Sequence, residues 1–138
     1  MTVELATIHD IKKIKLYDSH IPPNRLGECI DNNLVYVLHD EERGNAIVGI
    51  LRYSLFWQSI PFLDLLCIDE KYRGKGYGTL MMGHWEEAMR RMRYQYGMLS
   101  TQEDETAKFF YEKLGYKKIG AFLPPEQSAD ELIYLKTL

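Results

Sequence analysis

The sequence predicts a single α/β domain (residues 1–138): a central mixed sheet of about seven strands with helices on both faces. Three observations carry that expectation. Strand and helix periods follow one another as strand, two helices, three strands, helix, strand, helix, two strands. The run Phe62 to Ile68 is apolar except at Asp64, as in a central strand covered on both sides. Beyond it, Arg73-Gly74-Lys75-Gly76-Tyr77-Gly78 leads through glycines into a helix. At 138 residues, with 46% apolar and 27% charged side chains, the chain suits one soluble core and is too short for two.

The elements follow in order. Val3 to Ala6 is a short strand, and Thr7 with Asp10 three residues later starts a helix striped by Ile8, Ile11 and Ile14. Pro22-Pro23 ends that region and permits a second helix, about Asn24 to Asn32. Leu34 to Leu38 is a strand, followed by a polar connection through Asn45. Ala46 to Trp57 reads as a long strand with Ile47, Leu51, Tyr53, Leu55 and Trp57 on one face, and Gly49 marks a bulge or a close backbone approach. After the glycine loop, Met81, Met82, Trp85, Ala88, Met89 and Met92 form a core stripe, with Glu86–Arg90 and Glu87–Arg91 pairs on a solvated face. Tyr96 to Thr101 is a strand. About Asp104 to Leu114 is a helix stopped by Gly115, and Tyr116 to Phe122 and Leu132 to Leu138 are the last strands.

A formal charge of −3 argues against general nucleic-acid binding and mildly favours cationic small molecules. Cys29 and Cys67 are too few for a disulfide framework and show no metal-ligand spacing, which fits a reducing cytoplasm. The first residues lack a signal-peptide pattern, and no apolar run approaches the ~20 residues of a membrane span.

A strand that enters a helix through glycines exposes unpaired N–H groups, and the helix dipole adds to them, making an anion site. The Walker pattern fails because Gly76-Tyr77-Gly78-Thr79 lacks the Gly-Lys-Ser/Thr ending. The dinucleotide fingerprint fails because Thr79 stands where its third glycine belongs and because three hairpin-linked strands precede the loop. What remains is Arg-x-x-Gly-x-Gly after a strand ending at Ile68 and a short turn, Asp69 to Tyr72. This resembles the acetyl-CoA loop of the GCN5-related N-acetyltransferase (GNAT) family. Ala107-Lys108-Phe109-Phe110-Tyr111-Glu112-Lys113-Leu114-Gly115-Tyr116 is similar to that family's Ala-x-x-x-Tyr-x-Lys-x-Gly-Phe/Tyr segment, and the order of elements matches from end to end.

The resemblance implies the acyl-CoA N-acyltransferase fold, acetyl-CoA as cosubstrate, and no metal. It implies that the main chain of Arg73, Gly74, Lys75, Gly76, Tyr77, Gly78 and Thr79 wraps the CoA pyrophosphate. Glycines permit that close approach. Lys75 either adds charge to the phosphates or solvates the loop. The backbone of Leu66, Cys67 and Ile68 would pair with the pantetheine arm. The family often has a pantetheine-binding asparagine where this chain has Asp104. An ionised aspartate accepts but cannot donate, so capping the helix is the alternative role.

Amine acetylation needs a neutral amine, a stabilised oxyanion and a proton for the departing thiolate. By the resemblance, Tyr111 supplies that proton; its ordinary pKa near ~10 lies above the ~8.5 of a thiol, and the competing reading is a core tyrosine. Asp64, a carboxylate in an apolar strand, reads as a general base or cation clamp, or else as a partner for Arg52. Cys67 raises an acetyl-cysteine route, against which stands a buried inert thiol; a backbone N–H near Leu66 or Cys67 would serve the oxyanion. Tyr17, Tyr53, Phe56 and Trp57 form either an aromatic wall for an amine cation or part of the core, with Glu126, Asp130 and Glu131 adding negative charge. The expected function is acetyl transfer from acetyl-CoA to the primary amine of a small molecule or peptide in the cytoplasm, with no nucleic-acid or membrane partner. The alternative is a non-catalytic acyl-CoA-sensing module. By the resemblance, a homodimer paired through the last strands is one state open to the chain, alongside the single chain.

Overall fold

The computed structural model describes all residues, 1–138. Seven strands form one mixed sheet: β1 (Thr2–Leu5), β2 (Val35–Asp40), β3 (Ala46–Phe56), β4 (Ile60–Ile68), β5 (Tyr96–Gln102), β6 (Lys117–Phe122) and β7 (Glu131–Thr137). Their hydrogen-bonded order is β1-β2-β3-β4-β5-β7-β6. Only the β4–β5 neighbours are recorded as parallel, through Phe62↔Met98 and Leu63↔Leu99. The helices are α1 (Ile11–Ile14), α2 (Pro23–Asp31), α3 (Tyr77–Arg91) and α4 (Ala107–Lys113). The chain divides into two compact units, Met1–Ser54 with Asp64–Trp85 and Leu55–Leu63 with Glu86–Leu138.

In the first unit, the expected opening helix is a single 3-10 turn, Ile8–Asp10, running into α1. The Asp10 carboxylate accepts the Thr7 N–H at 2.8 Å, as the spacing predicts. Ile14, Leu26 and Ile30 then pack onto Val35, Val37 and Ile50 on one face of the sheet. Burying each such side chain is worth about 1.5–3 kcal/mol. On the opposite face, α3 lays Met81, Met82 and Trp85 down, all essentially unexposed.

Gly49 serves both expected purposes. A Cβ there would meet Ile68 Cδ1 at 2.9 Å and Leu38 Cβ and Met81 Sδ at 3.2 Å each, so side chains from β4, β2 and α3 crowd the space it would take. The ladder also slips beside it, from Leu38↔Gly49 to His39↔Ile47, leaving Val48 as the extra residue. That bulge sends Ile47 to the α1–α2 face with Ile50, away from Leu51 and Tyr53. The expectation of one common face therefore fails at Ile47. A period of two cannot survive an inserted residue.

In the second unit, β3 and β4 turn at Trp57 and Gln58, both with positive φ (55° and 58°). Trp57 is thus a turn residue and not the end of a strand. Helix α4 starts at Ala107, three residues later than the pattern suggests, with Thr106 before it as N-cap. The reason is upstream: Glu103 N–H bonds Asp130 O at 2.9 Å, so the chain stays tied beside β7 until that point. Asp104 therefore lies in the connecting turn and does not cap the helix. At the other end, Tyr116 N–H reaches Tyr111 O (3.1 Å) and Gly115 N–H reaches Glu112 O (3.0 Å), with Gly115 at φ 95°. This is the double closure that glycine permits.

Glu86 also departs from expectation. It is buried, accepting from the Tyr116 hydroxyl and the Lys136 ammonium, each at 2.8 Å. Helical spacing placed it beside Arg90, which does lie 3.7 Å away, but could not reveal the strand residues that cover it.

Candidate active site

The glycine loop is held at both ends. Asp69 N–H bonds Val48 O at 2.8 Å, and its carboxylate accepts the Lys71 N–H at 3.0 Å. The Tyr17 hydroxyl also reaches this carboxylate, at 2.9 Å, and lies 3.1 Å from Ile47 O. These donors hold the Asp69 carboxyl below the usual range, the Lys71 amide first and Tyr17 next. Burial, with Asp69 as the smaller cause, pushes the Tyr17 hydroxyl up to about 12. Tyr17 therefore anchors the loop, a role that only tertiary contact could reveal.

A 3-10 turn at Glu70–Tyr72 follows, with the Tyr72 hydroxyl on the Asp40 carboxylate at 2.7 Å. Arg73 then folds back, its Nε donating to Ile68 O at 2.9 Å. The Arg73 N–H turns toward Glu70 O at 3.4 Å. Gly74 and Gly76 sit at φ 74° and 85°, where a Cβ would touch nothing. They are needed for backbone conformation rather than for space, because left-handed geometry strains other residues. Helix α3 begins at Tyr77, and the first intrahelical bond beyond the loop is Leu80 N–H to Gly76 O at 3.0 Å. The N–H groups of Tyr77, Gly78 and Thr79 thus have no acceptor one turn back, and the dipole end lies at this point. Lys75 Nζ lies 6.0 Å from the Tyr72 ring centre.

Upstream of the loop, β4 carries the carboxylate singled out in the sequence. Asp64 accepts from Ser54 Oγ at 3.1 Å and from Arg52 Nη1 at 3.4 Å. Arg52 in turn gives Nε to Asp18 at 2.7 Å and Nη2 to its other oxygen at 3.5 Å. Asp64 is therefore a partner of Arg52, and a quarter of its side chain remains exposed. Burial pushes its carboxyl up, against the opposing Ser54 hydrogen bond and Arg52 charge.

Leu65 and Cys67 pack against the cluster built on Ile14, Leu26 and Ile50, the face to which Arg52, bonded to Asp18, also turns. Asp64 joins that face through Arg52 and Ser54. Successive strand residues point to opposite faces, so two neighbours on one face mark a bulge between Asp64 and Leu65. It begins just past Leu63, where the parallel ladder ends. Cys67 is a free, half-buried thiol whose side chain belongs to this core.

In the second unit, Tyr111 lies on α4 with its ring edge-on to Phe110 (5.1 Å between centres) and Tyr116 (6.2 Å). Burial, then repulsion from Glu105, pushes its hydroxyl up to about 12. Asp104 is exposed in the turn before α4. Of the aromatic candidates, Tyr53 is core, stacked on Tyr36 and packed on Trp85. Phe56 and Trp57 stand at the hairpin tip, Trp57 79% exposed. Glu126 and Asp130 are exposed, and Glu131 receives Gln127 Nε2 at 3.2 Å. Asp18 was absent from the sequence-derived site, whereas Arg52 stood in it as the alternative partner of Asp64, which it is. Asp18 sits in a polar stretch with no period to flag it. No cluster of three or more His, Cys, Asp or Glu side chains is arranged to hold a metal ion.

Comparison with curated proteins by sequence gives no match. Among solved structures, Ard1 from Thermoplasma volcanium aligns with TM-score 0.85 at 17% identity, over 99% of this chain and 97% of its own. A ribosomal-protein-alanine N-acetyltransferase from Brucella melitensis aligns with TM-score 0.83 at 15% identity, over 100% of both chains. Rv2747 from Mycobacterium tuberculosis, in complex with CoA and NLQ, aligns with TM-score 0.80 at 16% identity, over 100% of this chain and 99% of its own. At such identities the likeness establishes the fold, which is the one expected from the sequence. The profile of the acetyltransferase (GNAT) domain matches residues 31–118, from the end of α2 through Lys118 in β6. Acetyl-CoA stands with it as the cosubstrate. Because that match spans well over half the chain and includes the glycine loop, Asp64 and Tyr111, this protein belongs to the GNAT acetyltransferase family.

Proposed function

We propose that the chain is one catalytic domain transferring acetyl directly from acetyl-CoA to the primary amine of a small molecule or peptide. The observation that carries this reading is the partly exposed Asp64 carboxylate, at a β4 bulge upstream of an anion-binding loop. In this reading the pyrophosphate rests on the N–H groups of Gly74 to Thr79, and the pantetheine arm pairs with Leu66 and Cys67. The Ile68 carbonyl is a poorer partner, because Arg73 already donates to it.

Asp64 takes one proton from the incoming ammonium, directly or through a water. The neutral nitrogen attacks the thioester carbon, and a backbone N–H of Leu66 or Cys67 stabilises the oxyanion. Collapse breaks the C–S bond. The nitrogen loses its second proton, which ends on sulfur, giving amide and free CoA thiol. Tyr111 serves the departing sulfur as a hydrogen-bond donor. With its hydroxyl near 12 and a thiol near ~8.5, complete transfer from Tyr111 runs uphill, so the nitrogen supplies the net proton. The raised pKa keeps Tyr111 protonated throughout. A cytoplasmic setting accompanies this reading, supported by the free thiols Cys29 and Cys67.

The test measures CoA release with spermidine, glucosamine, lysine and an alanine-initiated peptide as acceptors. Tyr111→Phe is expected to lower kcat roughly 10- to 100-fold with the KM for acetyl-CoA unchanged. Unchanged turnover in that variant removes the donor role. Acetyl-CoA binding without turnover on every amine refutes the enzyme reading in favour of a sensing module.

A further inference from the structure

Arg52 and Ser54 from β3 contact the Asp64 carboxylate, and Asp18 from the segment after α1 and Cys29 from α2 lie within its electrostatic reach. Their distances are unequal. Arg52 gives two of its nitrogens to Asp18, the nearer at 2.7 Å, and only one to Asp64, at 3.4 Å. Asp18 is almost fully buried, whereas Asp64 keeps an open side. One guanidinium is therefore contested by two carboxylates, and the buried one holds it. Two carboxylates against one guanidinium leave a single negative charge, and it resides on the exposed member.

We infer that Asp18 is a positioning residue for acetyl transfer: by clamping Arg52 it leaves that cation only one long contact with Asp64, whose carboxylate then selects an ammonium acceptor and takes its proton. Without Asp18 the guanidinium is free to close on Asp64, since a bidentate Arg–carboxylate pair is the strongest arrangement open to both. A carboxylate so paired is a weaker base and a poorer cation site. The inference rests on Asp64 being the base, and it extends that reading to residues with no contact to the reacting atoms. It also names the acceptor class: amines that arrive charged.

The experiment follows the Asp64 carboxyl by carbon NMR in protein labelled with 13C at aspartate, alongside the pH dependence of kcat/KM with the fastest amine of the panel above. In Asp18→Asn the Asp64 midpoint is expected to fall by roughly one pH unit, and the acid limb of kcat/KM should fall with it. Turnover at pH 8 should drop roughly fivefold to tenfold, with the KM for acetyl-CoA unchanged. In the double variant Asp18→Asn/Arg52→Gln the cation is gone, and the midpoint should move the opposite way, above that of the unaltered protein. Loss of the Asp18 charge lowers the midpoint by itself, so the clamp is read as a fall that is larger with Arg52 present than in an Arg52→Gln background, and equal falls in the two backgrounds overturn the inference. An Asp64 midpoint that stays or rises in Asp18→Asn overturns the inference. If Asp18→Asn does not fold, Asp18→Ser takes its place in the same two-background comparison, with the same two outcomes. Asp64→Asn separates the two levels. Full turnover there sinks the base reading and the inference together; a crippled Asp64→Asn beside an unmoved Asp18→Asn sinks the inference alone.

Discussion

Glu86 offers the sharpest test of how the second unit is held together. Its carboxylate is 7% exposed and accepts from Tyr116 Oη and Lys136 Nζ, each at 2.8 Å. Truncation to alanine leaves the Tyr116 hydroxyl, in a residue only 2% exposed, without an acceptor. Such an orphan costs about 1–3 kcal/mol. Losing the charge-assisted bond from Lys136, itself 21% exposed, adds about 1 kcal/mol. Arg90, 3.7 Å away and largely solvated, contributes little. The expected loss for Glu86→Ala is therefore about 3 kcal/mol, or roughly 10 °C in Tm for a domain of this size. Glu86→Gln keeps an acceptor for Tyr116 and removes only the charge, so about 1 kcal/mol is expected. Urea and thermal unfolding followed by circular dichroism measure both, and a double-mutant cycle with Tyr116→Phe isolates the pair. A Tm change below about 2 °C for Glu86→Ala would refute the assignment of this network as a stabilising contact.

Three further outcomes follow from the geometry. Gly76→Ala introduces no clash but forces alanine to φ 85°, at about 1–2 kcal/mol. Calorimetric titration should find acetyl-CoA binding weakened more than tenfold, because the strained loop withdraws its N–H groups. Asp64→Asn should raise Tm at pH 7 while abolishing most turnover. The Asp64 carboxyl titrates higher folded than unfolded, so its contribution is complete below the unfolded pKa and is lost as pH rises through the folded one. The gain in Tm should accordingly shrink in a melt at pH 3.5, where the carboxyl is largely protonated in either state. Gln58→Gly relieves a side chain held at φ 58° in the hairpin turn, and thermal melts should rise by roughly 3 °C.

Much of the site was legible because its chemistry is local. The spacing of Arg73, Gly74, Gly76 and Gly78 fixes where the backbone turns left-handed and where α3 begins, whatever packs nearby. Gly115 was legible for the same reason, closing α4 within its own last turn, whereas Tyr111 was marked by the resemblance of its segment. Asp64 stood out because a carboxylate in an apolar run demands an explanation. Of its partners, Arg52 was legible as a cation on the preceding strand, but Asp18 lies 46 residues away in a stretch without pattern. Asp104 misled because a capping residue is recognised by sequence neighbours, whereas the start of α4 is set by the Glu103–Asp130 bond across the chain. Ile47 misled because a bulge changes parity without changing composition.

The sequence alone determined the class of fold and the position of the glycine loop, which depend on periodicity and on backbone preferences a few residues long, and its two motifs carried the resemblance to the family. Tertiary structure alone decided which carboxylates share a cation, that Tyr17 steadies the loop through Asp69, and that Glu86 is buried under Tyr116 and Lys136. Those outcomes depend on distances between segments far apart in the chain. Electrostatic interaction falls steeply with separation and burial, so a few ångströms decide whether a carboxylate is a base, a partner or a solvated charge.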